Sequence, residues 1–102
     1  MDNRRLTPRF SLMSSLTYRA MGASRRGVLV SLSEGGCTLE ADTIFALRDP
    51  VTLLFHLGRE ATVLAVAVVR WTRGTRSGAE FVCMSAASRT GLRDWLTTRA
   101  IV

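Results

Sequence analysis

Residues 27–41 read GVLVSLSEGGCTLEA. Val28, Val30 and Leu32 take alternate positions, and a period of two marks a strand. With that apolar set turned inward, Ser31 and Ser33 share the outward face. Glu34-Gly35-Gly36 breaks the pattern. Cys37, Leu39 and Ala41 then resume it against Thr38 and Glu40, so a further strand follows the glycine pair. A hydroxyl-lined face that runs into two glycines suits an anionic ligand. Gly36 tolerates positive φ and lets another group approach the backbone, and N–H groups exposed at such a turn can hold an anion. The plain alternative is a hydrophilic outer face followed by a turn.

The alternation continues on both sides of this stretch. Leu12, Leu16, Tyr18 and Ala20 predict a strand over 12–21. Gly22-Ala23-Ser24 turns the chain into the strand at 26–33. Residues 42–50 are irregular and end in a loop at Asp49-Pro50. Val51, Leu53, Phe55 and Leu57 predict a strand over 51–57, and Gly58-Arg59 a tight turn. The β-branched run Ala61–Trp71 is apolar on both faces, so its outer side calls for a cover. A last strand spans 76–84, with Ala79, Phe81 and Cys83 facing one way. Leu92, Trp95 and Leu96 then switch to helical spacing, with Ser85 or Ser88 available as N-cap. A helix over 86–99 would bury those three side chains against the sheet and supply the missing cover. The fold class is mainly β: a six-stranded antiparallel β-barrel with a C-terminal α-helix. Residues 1–10 read as a flexible Arg-rich leader and 11–102 as a single domain.

The 102-residue length fits one domain with one modest core. The longest apolar run, Val63–Val69, is far shorter than the roughly 18 residues of a spanning helix, so no membrane insertion is expected. The polar N-terminus lacks a secretion signal, and a cytoplasmic location follows. All 14 basic residues are Arg, against 8 carboxylates, a formal charge of +6. That excess attracts anions without choosing among them. Cys37 and Cys83 fall in apolar segments and read as buried thiols, with no disulfide and no zinc set. Catalysis finds no support. His56 sits on a strand among apolar neighbours, the carboxylates are scattered, and Gly35-Gly36 lacks the rest of a phosphate-binding loop. The chain is not read as an enzyme.

The leader holds Arg4-Arg5-Leu6-Thr7-Pro8-Arg9. In an extended chain Arg5 and Arg9 stand about 13 Å apart on one side. Two guanidinium forks at that distance could clasp a small diphosphorylated ligand. A solvated basic tail is the alternative.

Taken together, Arg5-x-x-x-Arg9 and the later Ser31-Leu32-Ser33-Glu34-Gly35-Gly36 resemble the PilZ domain family. Its signatures are Arg-x-x-x-Arg in an N-terminal leader and Asp/Asn-x-Ser-x-x-Gly on an early strand. The resemblance covers nearly the whole chain and implies the same six-stranded barrel and terminal helix. It implies cyclic di-GMP as ligand, with no metal and no other cofactor. Arg5 and Arg9 would hold phosphate and guanine edges, and Ser33 with the Gly35-Gly36 backbone would support the other side. Arg4 would add a contact that allows a stacked ligand dimer. Trp71 would pack against a base, with core filling as its alternative. Ser31 departs from the family, which carries Asp or Asn there. A hydroxyl replaces at most one of two hydrogen bonds, so binding is expected to be about tenfold weaker. The implied function is a receptor that changes shape on ligand binding and regulates an unidentified target protein in motility, pilus or envelope polysaccharide control. The alternative is a degenerate adaptor acting through protein contacts alone. Nucleic-acid binding is disfavoured, because the seven aromatics mostly take inward positions and do not interleave with Arg on exposed faces.

Overall fold

The strictest alternation in the chain builds the back of a barrel. The computed structural model describes residues 9–59 and 61–101. Its elements are β1 (Phe10–Ala20), β2 (Ala23–Leu32), β3 (Gly36–Glu40), β4 (Pro50–Leu57), β5 (Ala61–Arg73), β6 (Arg76–Met84) and α1 (Ala86–Ile101). The strands close in the order β1-β2-β3-β6-β5-β4, every neighbour antiparallel. Pairing of β1 with β4 closes the ring and leaves no open sheet edge. Mainly β, a six-stranded antiparallel barrel and one terminal helix are therefore the observed architecture.

In the β4–β5 hairpin Leu53 faces Ala65, Val51 faces Ala67 and Phe55 faces Val63, all buried. Small side chains opposite large ones fill the interior of a narrow barrel. Tyr18, also fully buried, satisfies its hydroxyl with Thr43 Oγ1 at 2.7 Å, as a buried phenol requires. Its ring meets Phe45 edge-on at 5.5 Å. The irregular stretch before β4 thus contributes a core residue, Phe45, that periodicity does not reveal. Pro50, expected in the loop, opens β4.

Bulges change the phase of several strands. In β2 the residues paired to β3 run Leu29, then Ser31, against Leu39 and Thr38, so Val30 is extra. Leu29 and Leu32 are buried, while Val28 and Val30 are only half-buried. This corrects the inward set Val28, Val30, Leu32, because a bulge places two residues opposite one and breaks the period of two. In β6 Val82 is the extra residue between the pairs Phe81–Ala67 and Cys83–Val66. Phe81 packs against the core, but Cys83 is turned to the outside. The expectation of two buried thiols therefore holds for Cys37 alone.

Ser85 caps α1, its Oγ accepting from the Ser88 N–H at 3.1 Å. Ser88 takes a different task. Where β6 ends beside Ala65, the Ser88 hydroxyl accepts from the Leu64 N–H at 3.1 Å and continues the β5 ladder. Leu92, Trp95 and Leu96 are buried as expected and join the barrel core, with Phe10 edge-on to Trp95 at 6.3 Å. The helix does not cover the outer face of β5, however. Leu64 remains 55% and Val66 36% exposed. Three apolar side chains on a short helix are used up in sealing the interior beside the start of β5, so none reaches the outer wall.

Three outcomes test this packing. Burial pushes the Cys37 thiol up to about 12, and only thiolate attacks disulfide reagents. At pH 8 the native protein should release one rapid equivalent of reagent chromophore, from Cys83, and the second only on unfolding; equal rates would contradict the burial. The folded chain also keeps a proton that the unfolded chain loses near 9.0. Stability should therefore fall between pH 9 and 12, less steeply in Cys37→Ala. The Ser77 hydroxyl is fully buried without a hydrogen-bond partner among the described residues. Ser77→Ala should stabilise the fold by about 1 kcal/mol, read as a melting temperature a few degrees higher.

Candidate functional site

β2, β3, β6 and β5 are consecutive around the barrel, and their outer faces form one wall. A cavity of about 430 Å³ lies on that wall, within the range of roughly 300–1,000 Å³ usual for small-molecule sites. Arg9, Ser31, Ser33, Gly35, Gly36 and Trp71 all line it. Six positions singled out in the sequence are thus brought together from a leader, a hairpin and a distant strand. Arg4 and Arg5 lie outside the described residues. Thr38, Arg70, Gly78 and Glu80 line the same cavity and carry no motif that sequence reading could find. No residue of α1 lines it.

Bulges make the cavity as well as the barrel. Along β5, Val69 pairs with Ala79 and Trp71 with Gly78, leaving Arg70 as the extra residue. Strict alternation would send Arg70 and Trp71 to opposite faces. The bulge re-aims them so that both border the cavity. Val30 acts similarly on the opposite side, beside Ser31. Trp71 is 41% exposed and does not fill the core. Its indole lies across Gly78, where an added Cβ would run into Nε1. The absent side chain is what lets the ring lie flat against the wall.

Gly36 is required for a related reason. It lies outside the left-handed region, so positive φ is not its role. A Cβ there would collide with the Ala79 carbonyl oxygen of β6. The adjoining turn is fixed by the Ser33 N–H, which donates to the Gly36 carbonyl at 2.9 Å, and by the Ser33 hydroxyl, which donates to the same oxygen at 3.3 Å. The Phe81 N–H donates to the Gly35 carbonyl at 2.9 Å and ties the turn to β6. Glu34 pairs with Arg93 of α1 at 3.1 Å and ties it to the helix. Ser33 therefore shapes the cavity as well as lining it.

Among the described residues, the charged groups around the cavity are Arg9, Arg70 and Glu80. Arg70 Nε donates to Glu80 Oε1 at 2.6 Å, with both side chains 53% exposed. An ion pair this open contributes about 0–1 kcal/mol and is easily exchanged. Guanidinium forks, hydroxyls and a flat indole face together suit a ligand carrying both phosphate and a planar ring. No group of three or more His, Cys, Asp or Glu able to hold a metal occurs among the described residues. No described helix is long and apolar enough to cross a membrane.

Comparison with solved structures places the fold beside several known proteins. The Bacillus subtilis inhibitor of motility MotI/DgrA superposes with a TM-score of 0.82 at 17% identity, over 98% of this chain and 53% of the other. The chain thus spans about half the length of that neighbour. The K. pneumonia MrkH–c-di-GMP complex gives 0.74 at 16% identity, over 99% of this chain and 54% of the other. The Borreliella burgdorferi PlzA protein in complex with c-di-GMP gives 0.72 at 12% identity, over 92% and 41%. At these identities the likeness is one of fold. No curated protein sequence matches. The PilZ domain profile matches residues 3–98, from the arginine leader to the last turns of α1. The chain belongs to the PilZ domain family.

Proposed function

We propose that this chain is a cyclic di-GMP receptor that acts on a target protein in the cytoplasm. The observation that carries the reading is the convergence of Arg9, Ser31, Ser33, Gly35, Gly36 and Trp71 on one outer-wall cavity. Membership of a family of receptor and adaptor domains supports it, as do structural neighbours described as c-di-GMP complexes. Cyclic di-GMP presents two phosphates and two guanines. Arg9 stands at the cavity on the last residue before β1, and Arg5 lies four residues upstream. Closure of residues 1–10 over the ligand would bring Arg4 and Arg5 against the phosphates and guanine edges. The Gly35-Gly36 backbone and the serine hydroxyls form the facing side, and Trp71 stacks on a base. Ordering the leader against the wall then creates or hides the surface that the target protein reads. MotI/DgrA is named as an inhibitor of motility, and another neighbour is the PilZ domain of CeSA from a cellulose-synthesising bacterium. Motility and polysaccharide synthesis are accordingly the outputs to examine first.

Ser31 favours a second reading, a PilZ adaptor that works through protein contacts without the nucleotide. Isothermal titration of the folded protein with cyclic di-GMP separates the two. A receptor should give saturable heat, and Ser31→Asp should tighten binding about tenfold. No heat at tens of micromolar ligand in either protein would leave the adaptor reading standing. Gly78→Ala should displace the indole and weaken binding about as much as Trp71→Ala does, by roughly 1–3 kcal/mol. A change in tryptophan emission of the free Gly78→Ala protein would report the displaced ring. Wild-type affinity in both variants would remove Trp71 from the site.

A further inference from the structure

We infer that Glu80 is the residue that reads guanine in this chain, in place of the acidic or amide side chain absent at position 31. The inference rests on the cyclic di-GMP reading above. The Watson–Crick edge of guanine offers two adjacent donors, N1–H and N2–H. A carboxylate matches them with two acceptor oxygens, whereas a serine hydroxyl matches one. Among the described residues that line the cavity, Glu80 is the only carboxylate.

Its backbone is held where such a reader needs to be. Glu80 pairs with Gly36 of β3 and Val68 of β5. The next residue, Phe81, hydrogen-bonds to the Gly35 carbonyl. Glu80 is therefore anchored to the glycine turn, across the wall from Ser31 and Ser33. Its side chain is half exposed and, among the described residues, held by one partner, Arg70 at 2.6 Å. That partner lines the same cavity and holds the carboxylate beside it. An exposed pair is weak enough for a ligand to replace. When guanine takes the carboxylate, the Arg70 fork becomes available to a phosphate of the same ligand. The bulge that re-aims Arg70 and the pairing that anchors Glu80 thus belong to one device.

Titration of wild-type protein, Glu80→Gln and Arg70→Ala with cyclic di-GMP and with its hypoxanthine analogue, which lacks the 2-amino groups, tests this. Wild type should prefer the guanine ligand by about tenfold. Glu80→Gln should bind cyclic di-GMP about tenfold more weakly and lose most of that preference. Arg70→Ala should bind both ligands more weakly and keep the preference. Unchanged affinity in Glu80→Gln, or a wild-type preference retained in it, overturns the assignment while leaving the receptor reading intact. Wild-type protein that binds neither ligand overturns both. Glu80 is exposed, so circular dichroism melts of the variants should superpose on wild type.

Discussion

The closed ring of six strands does not keep a period of two along every strand. Strands tilt to close a barrel, and a fold can bend and twist them further by inserting single residues. This chain does so at Val30, Arg70 and Val82, and once more in β1 between Ser11 and Ser14. Each insertion reverses which side chains face the core. The shape of the cavity wall follows from these insertions, since those at Val30 and Arg70 set how Ser31, Arg70 and Trp71 border it.

The wall stays open because its glycines keep it thin. β3 and β6 approach at Gly36 and Ala79, and the indole of Trp71 lies against Gly78. Chemistry there depends on rim side chains and not on buried charge. Among the described residues its ion pair, Arg70–Glu80, is exposed, and Arg9 and the hydroxyls supply the remaining polarity. Rim groups of this kind each contribute little, so a ligand would have to engage several of them together. Glu40 shows the contrast away from the cavity: hydrogen bonds from Arg76 and Thr75 lower its carboxyl below the ordinary range, and it serves to pin β3 to the β5–β6 turn.

Much of this was legible beforehand. β4 follows strict alternation, so Val51, Leu53, Phe55 and Leu57 were assigned correctly to one face, which is the buried one. Cys37, Leu39 and Ala41 were too, because β3 is short and carries no extra residue. The inward phase of β2 and the exposure of Cys83 were misassigned, both beside bulges, and a single extra residue leaves no mark in composition or periodicity. The helix was found with its buried side chains, but its docking place was not. Amphipathic spacing says that a stripe must be buried and does not say against what.

The sequence by itself determined the class of the protein: six alternating segments, a terminal amphipathic helix, and two spaced motifs that resemble one family. Local pattern suffices for those because each depends on neighbours a few residues apart. Only the tertiary structure decided that Arg70, Gly78 and Glu80 share a cavity with Ser31 and Trp71. Those contacts join strands separated by up to half the chain, and they follow from pairing register and bulge position, which the three-dimensional closure of the barrel sets.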